Sequence, residues 1–130
     1  MTYHRDEINR INKIVYPHDD LTNQIIQSKL YIDKHFSGNI NLDKIAGTAF
    51  LSKFHFIRLY KKYYGRTPNQ YLQEVRIANA KKFLQSGKSI DEVCMAVGFE
   101  SKTSFAGLFK KMTGITPFAF RNRKAILKND

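Results

Sequence analysis

The 130-residue sequence contains no tryptophan, three prolines and a single cysteine. Cys94 lies in the apolar stretch VCMAVGF without a second thiol, which excludes an internal disulfide and a thiolate metal site, so we expect it to be buried. No apolar run approaches the ~18 residues of a membrane span. No signal-peptide pattern follows Met1. These absences predict a folded domain in the cytoplasm, without a membrane segment.

Patterns that carry catalysis are also missing. The four histidines, His4, His18, His35 and His55, are scattered, and no serine or carboxylate pair stands at a recognised catalytic spacing. The sequence contains no glycine-rich phosphate loop. It therefore predicts a protein that is not an enzyme and that carries neither a cofactor nor a metal site.

Acidic residues are scarce in one part of the chain only. Residues 1–50 hold six Lys/Arg and six Asp/Glu, whereas residues 51–130 hold sixteen Lys/Arg and five Asp/Glu and so carry the whole excess of a +11 net charge. Basicity confined to one region favours a polyanionic partner. A merely solvated surface does not explain the confinement. A membrane surface would require a basic amphipathic helix with large exposed apolar residues, which these segments mostly lack.

The basic region, residues 51–130, contains one sequence motif twice. Residues 60–68 are YKKYYGRTP and residues 109–117 are FKKMTGITP. The similarity extends over 41–68 and 89–117, with an offset of 48 at the start and 49 from Ser52 and Ser101 onward, because one extra residue enters the second copy at its central turn. Two copies are too few for a solenoid. The chain therefore contains a duplicated supersecondary unit.

Each copy predicts a short helix, a turn and a longer helix. In the second copy Ser89 and Glu92 form an S-x-x-E capping box, Gly98 supplies the turn, and Ser101 caps the long helix. The first copy places Asn41 and Ser52 in the two capping roles. Each long helix is expected to stop at a glycine before Thr-Pro starts the next one; these glycines are Gly65 and Gly114.

The spacing of apolar residues predicts which face of each long helix is buried. Positions i, i+3, i+4 and i+7 are Phe56, Leu59, Tyr60 and Tyr63 in the first copy and Phe105, Leu108, Phe109 and Met112 in the second. The remaining positions should face outward; they are Lys53, Phe54, Ile57, Arg58, Lys61 and Lys62, and Lys102, Thr103, Ala106, Gly107, Lys110 and Lys111. Such a helix-turn-helix is suited to the major groove. An αα-hairpin in a helical bundle also fits the periodicity but leaves the duplicated charge unexplained.

The segments around the two copies are also predicted to be helical. The stretch from Pro68 to Ser86 has no internal breaker and would form a rod of roughly 27 Å, which suits two reading helices about one DNA turn, ~34 Å, apart. Residues 21–36 predict a helix that packs on the first unit through Ile25, Ile26, Leu30 and Ile32. A short amphipathic helix is expected within residues 8–15. The domain prediction is a 1–20 extension, a 21–67 unit, a 68–86 linker and an 87–130 unit.

Over residues 21–124 the sequence resembles the DNA-binding domain of AraC/XylS-type transcription regulators. IDEVCMAVGFES followed by SFAGLFKKMTGITPFAFR is similar to the family pattern A-x-x-x-G-F-x-S…F-x-x-x-F-K-x-x-x-G-x-[TS]-P-x-x-[YF]-R. RIANAKKFL, with Arg76 and Ala80, matches the family's linker pattern. The resemblance implies an all-α fold of about seven helices, with two helix-turn-helix units joined by a long helix. It also implies promoter binding that recruits or blocks RNA polymerase.

The resemblance further implies where bases are contacted. The family's base contacts come from the first turns of the two long helices and map onto Phe54, Ile57, Arg58, Lys102, Thr103 and Ala106. The phosphate contacts are predicted from charge and are Lys53, Lys61, Lys62, Lys110 and Lys111. The sequence departs from the family at Gly107, where an arginine is frequent. It also leaves no room for an effector-sensing domain, so we expect a minimal stand-alone regulator or an excised domain.

Three kinds of function stay open from the sequence. The favoured hypothesis is a sequence-specific transcription regulator that binds double-stranded DNA as a monomer. The alternative is a basic protein that binds the nucleoid or RNA without sequence specificity. Ala106 and Gly107 are compatible with a second unit that binds only phosphates. A protein adaptor would leave the charge asymmetry unexplained.

Overall fold

The structure, a computed structural model, describes residues 18–48 and 51–129. These residues form seven helices and no strand, as the sequence predicts. The helices are α1 (His18–His35), α2 (Leu42–Thr48), α3 (Lys53–Tyr64), α4 (Pro68–Gln85), α5 (Ile90–Ala96), α6 (Lys102–Thr113) and α7 (Pro117–Asn129). α1 begins three residues before the predicted start at Leu21. The short helix expected at 8–15 lies outside the described residues.

The described residues divide into two compact units. Unit 1 comprises 18–34, 41–48 and 51–69, and unit 2 comprises 35–40 and 70–129. Each unit contains one copy of the repeat, with α2 and α3 in unit 1 and α5 and α6 in unit 2. The first two residues of α4 belong to unit 1, and the rest of that helix belongs to unit 2.

The core of unit 1 is built on one face of α1. The buried apolar residues are Ile25, Ile32, Ile45, Ala46, Phe56 and Tyr60. Ser28 lies on the same face of α1, and its hydroxyl donates to the Ile25 carbonyl at 2.6 Å. Two predicted packing residues of α1 are exposed instead, Ile26 by 38% and Leu30 by 50%. That prediction is wrong, because Ile25, Ser28 and Ile32 occupy one helical stripe and turn the neighbouring positions toward solvent.

The core of unit 2 includes one face of α4. Its buried residues are Ile77, Ala80, Leu84, Val93, Cys94, Val97, Phe105 and Phe109. Cys94 is 4% exposed, which confirms the core prediction, and burial raises the pKa of its thiol. The Arg76 guanidinium of α4 donates to the carbonyls of Phe36 at 2.8 Å and Gly38 at 3.0 Å. These bonds tie the segment after α1 to α4, and burial lowers the pKa of Arg76.

The two copies of the repeat share their internal packing. The rings of Phe56 and Tyr60 are 5.7 Å apart at 64°, and those of Phe105 and Phe109 are 5.8 Å apart at 65°. All four side chains are fully buried. The aromatic residues at i and i+4 are therefore core residues in both units, as predicted, and do not form a stacking surface for bases.

The last position of each predicted buried face is exposed. Tyr63 is 43% exposed and Met112 is 42% exposed, so the prediction that both are core residues is wrong. Each stands within the last two residues of its helix, at the edge of the buried stripe, where a neighbouring element covers only part of the side chain. The Tyr63 hydroxyl instead lies 2.8 Å from the Thr22 hydroxyl of α1.

Candidate nucleic-acid interface

The two long helices begin and end with the same hydrogen bonds. The Ser52 hydroxyl accepts from the His55 amide at 3.3 Å, and the Ser101 hydroxyl accepts from the Ser104 amide at 3.1 Å. Gly65 and Gly114 end the helices with φ values of 76° and 88°, in the left-handed region that glycine enters without strain. The predicted caps are thereby confirmed, and they fix which side chains occupy the first turns of α3 and α6.

The short helices that precede them are capped differently. In unit 2 the Glu92 amide donates to the Ser89 hydroxyl at 3.1 Å, and the Ser89 amide donates back to the Glu92 carboxylate at 3.2 Å. This is the predicted capping box, and its bonds lower the pKa of Glu92. In unit 1 the Lys44 amide donates to the Asn41 side chain at 2.9 Å. A lysine in the place of Glu92 has no acceptor with which to return a bond.

The turn between the helices shows where the extra residue of the second copy lies. The Leu51 amide bonds the Ala46 carbonyl at 3.3 Å, and 48 residues later the Phe99 amide bonds the Cys94 carbonyl at 3.0 Å. Both copies therefore keep the same register through this bond, and the insertion is Glu100, immediately before the cap of α6. Gly98, with φ 94°, supplies the predicted turn of unit 2.

The outer face of α3 presents an arginine beside a large aromatic ring. Phe54 is 74% exposed and Arg58 is exposed. The partly buried Lys53 places its ammonium 5.7 Å from the centre of the Phe54 ring. Ile57 is also partly buried, at the boundary between the outer face and the core. The first two turns of α3 therefore offer an apolar plane and a guanidinium fork to a ligand.

The outer face of α6 is smaller and less polar. Thr103 and Gly107 are exposed, and Ala106 is partly buried at the position that Ile57 occupies in α3. Lys102 is exposed, but its ammonium is bound to the Asp91 carboxylate of α5 at 3.0 Å. The six residues predicted to contact bases thus fall into two sets of three, one in the first turns of each helix.

Four of the five predicted phosphate-binding lysines lie at the other end of each helix. Lys61, Lys62, Lys110 and Lys111 are all exposed in the last turns of α3 and α6. Cations are stabilised at helix C-termini by the helix dipole, so these positions suit lysine before any ligand binds.

Two outward residues of the first turns were missed by the sequence prediction. His55 and its repeat-mate Ser104 are both exposed. His55 stands at i, i+3 and i+7 with Arg58 and Lys62, so it shares their face of α3. A helical projection centred on Phe56 and Tyr60 would have found it. The outward face of α3 therefore carries one more group that can donate to a base edge or a phosphate.

Several other kinds of site are not seen in the described part of the chain. Residues 18–48 and 51–129 contain no group of three or more His, Cys, Asp or Glu side chains placed to hold a metal ion. Within the same ranges no helix is both long enough and apolar enough to cross a membrane. The candidate sites are the exposed charged faces of α3 in unit 1 and of α6 in unit 2, described above.

Known proteins share this arrangement. A family model described as a helix-turn-helix domain matches residues 45–123. The chain is 41% identical, over 70% of its length and 44% of the other's, to the bifunctional transcriptional activator/DNA repair enzyme AdaA of Bacillus subtilis (strain 168). It therefore spans less than half of this curated relative.

Solved structures give the same result. An AraC-type transcriptional regulator from Chromobacterium violaceum matches with a TM-score of 0.68 and 28% identity, over 83% of this chain and 94% of that one. The DNA-binding domain of AdpA, solved in complex with a target DNA, matches with a TM-score of 0.78 and 24% identity, over 82% and 97%. The latter match shows that the two share a fold.

A short capped helix, a turn and a capped long helix with basic outward side chains, present in both units, define a helix-turn-helix DNA-binding domain. The match over residues 45–123 assigns it more closely. The chain belongs to the AraC/XylS-type family of transcription regulators and contains its DNA-binding domain. The resemblance seen in the sequence is confirmed.

Proposed function

We propose that this chain binds a promoter site as a monomer, with α3 and α6 in successive major-groove segments and α3 as the principal reader of sequence. The observation that carries the proposal is the exposure of Phe54 and Arg58 together on the first two turns of α3. A guanidinium bonds guanine O6 and N7 bidentately, and an apolar ring contacts thymine methyl groups. Each is a direct contact to a base edge.

The first turn of α6 offers weaker contacts. Thr103 presents one hydroxyl and Ala106 one methyl group, while Gly107 presents no side chain. The Lys102 ammonium is bound to the Asp91 carboxylate, which leaves fewer of its three donors for an acceptor on a base edge. The second helix is therefore proposed to read few bases and to position the domain, since backbone contacts fix register without carrying sequence information.

The lysine pairs of the last turns are proposed to bind phosphates. Lys53 is proposed to join them in this role, because it is the first residue of α3 and its ammonium lies beside the exposed Phe54 ring. A protein that neutralises phosphates releases counterions, so its affinity falls linearly with salt on logarithmic axes.

Two readers on one chain support monomeric binding, because a single-reader domain needs a dimer to span two half-sites. The proposed location is the bacterial cytoplasm, at the nucleoid. RNA polymerase is the further partner that the family suggests for such a domain. We propose no enzymatic role for the described residues, although AdaA is named as a repair enzyme as well as an activator.

Non-specific binding is the second candidate, and the small outer face of α6 favours it. The ratio of affinities for a selected site and a random duplex, measured at one salt concentration, separates the two. Sequence-specific binding predicts a ratio of roughly 10³ or more. A ratio near one would establish the non-specific alternative.

A further inference from the structure

The ion pair between Asp91 and Lys102 joins the two helices of the second helix-turn-helix. The Lys102 ammonium lies 3.0 Å from an Asp91 carboxylate oxygen, and the two side chains are 66% and 68% exposed. Lys102 is the first residue of α6, and Asp91 lies in the first turn of α5. Because exposed ion pairs contribute little to folding stability, the pair is not required to hold the fold together.

Unit 1 carries the same two residue types at the same positions of the repeat. Asp43, 48 residues before Asp91, lies in the first turn of α2, and Lys53, 49 residues before Lys102, begins α3. The side chains are arranged differently. Lys53 lies over the Phe54 ring, and no ion pair joins it to Asp43 among the residues that the structure describes.

The neighbour of each lysine explains this difference. The residue after Lys53 is an exposed phenylalanine, whose ring face attracts a cation. The residue after Lys102 is Thr103, which offers no ring, so the nearest partner for the ammonium is the Asp91 carboxylate. The Lys102 ammonium of unit 2 is therefore bound to a carboxylate of its own chain, whereas the Lys53 ammonium of unit 1 can bind an anion such as a DNA phosphate.

We infer that Asp91 is a positioning residue, which holds Lys102 against α5 and so limits the contribution of its ammonium to phosphate binding. This inference rests on the proposed function, since it requires that the first turn of α6 faces DNA. An ammonium that is bound to a neighbouring carboxylate neutralises fewer phosphates and releases fewer counterions when DNA binds.

The test compares Asp91→Asn with Asp43→Asn, the same change at the matched position. Both variants lose one negative charge and keep the shape of the side chain. Affinities are measured for the selected site and for a random duplex over a range of salt. We expect D91N to bind the random duplex about two- to fivefold more tightly, with a salt slope steeper by about one. D43N, which frees no ammonium, should change both the affinity and the salt slope by less.

A second background shows whether Asp91 acts through Lys102. In Lys102→Met the change D91N should leave the salt slope unaltered, whereas the conservative D91E in the wild-type chain should retain the wild-type slope. Equal changes in D91N and D43N, or an undiminished effect of D91N in the K102M background, would overturn the inference. A wild-type protein that does not distinguish the two duplexes would instead refute the proposed function.

A separate pair of variants gives an answer even if D91N is unstable. Lys102→Gln and Lys53→Gln each remove one ammonium from the first residue of a reading helix. Because Lys102 is occupied by Asp91, K102Q should reduce the salt slope for random duplex by less than K53Q does. Equal reductions would contradict the inference.

Discussion

The two helix-turn-helix units have matching cores and different outer faces. Buried aromatic pairs recur with almost the same separation and angle, and serine caps and glycine stops recur at the same positions. On the outer faces, Phe54 and Arg58 of the first copy align with Thr103 and Gly107 of the second. The buried positions determine how a long helix is held, and the exposed positions determine what it contacts. Duplication of a fold therefore does not require duplication of its specificity.

The largest expected effect comes from the feature that the two units share, their pairs of lysines. Changing Lys61, Lys62, Lys110 and Lys111 to glutamine should lower the salt slope of DNA binding by about four and weaken binding to every sequence. Each pair alone should account for about half of the change. The measurement is affinity against salt for selected and random duplexes, and a shift of preferred sequence would show that these lysines touch bases.

Arg58 provides the sharpest difference between the units. Arg58→Ala should cost ~1 to 3 kcal/mol of binding free energy on the preferred site and relax selection at one or two base pairs. Thr103→Ala should cost less, because it removes a single hydroxyl. Both variants should be titrated on the same duplex at the same salt. A greater loss in T103A would assign the principal contacts to α6.

Gly107 aligns with Arg58, so an arginine at this position tests whether α6 can be given the contact that α3 has. A Cβ atom added at this glycine meets nothing within 4 Å beyond its chain neighbours and the backbone of its own helix, and the residue is exposed in the middle of α6. Gly107→Arg should therefore fold and bind DNA several-fold more tightly, with new base selection in the second half-site. Gly107→Ala is the control for helix stability and should stabilise α6 by about 1 kcal/mol without new selection. If G107R and G107A bind alike, α6 does not face a groove.

The smallest effect concerns the caps. Ser89→Ala should lower the free energy of unfolding by roughly 1 kcal/mol, as loss of an N-cap does elsewhere. Because its bonds lower the pKa of Glu92, that carboxylate stabilises the fold above its ordinary pKa, and this stabilisation is lost as the pH falls through the folded value. Glu92→Gln should remove this pH dependence, measured by denaturant unfolding. Asn41→Ala, at a cap without a returning carboxylate, should leave it intact.

Most of the fold was predictable because its local signals are strong. Capping residues, helix-stopping glycines and the aromatic pairs act within a few residues of chain, so a sequence pattern is enough to find them. Tyr63, Met112, Ile26 and Leu30 were misjudged because their burial depends on which neighbouring element covers the end or flank of a helix. Periodicity gives the direction of a face but not its width.

The candidate site was only partly predictable, because some of its features also depend on how neighbouring helices pack. The sequence shows that Lys102 and Asp91 are charged, yet their pairing depends on the placement of α5 against α6 and on the missing ring at Thr103. His55 was overlooked because the predicted outward face included Ile57, which is partly buried, in place of His55, which is exposed. Which residues touch bases stays a prediction.

Selection of sites from random duplexes by the wild-type chain and by Arg58→Ala, with the number of chains per duplex determined for each selected site, tests the central claim most directly. The account predicts one chain on a site of roughly 20 base pairs without dyad symmetry. The wild-type site should have one strongly constrained half, and this constraint should weaken in R58A. A palindromic site bound by two chains, or a constrained half that R58A leaves unchanged, would contradict the account.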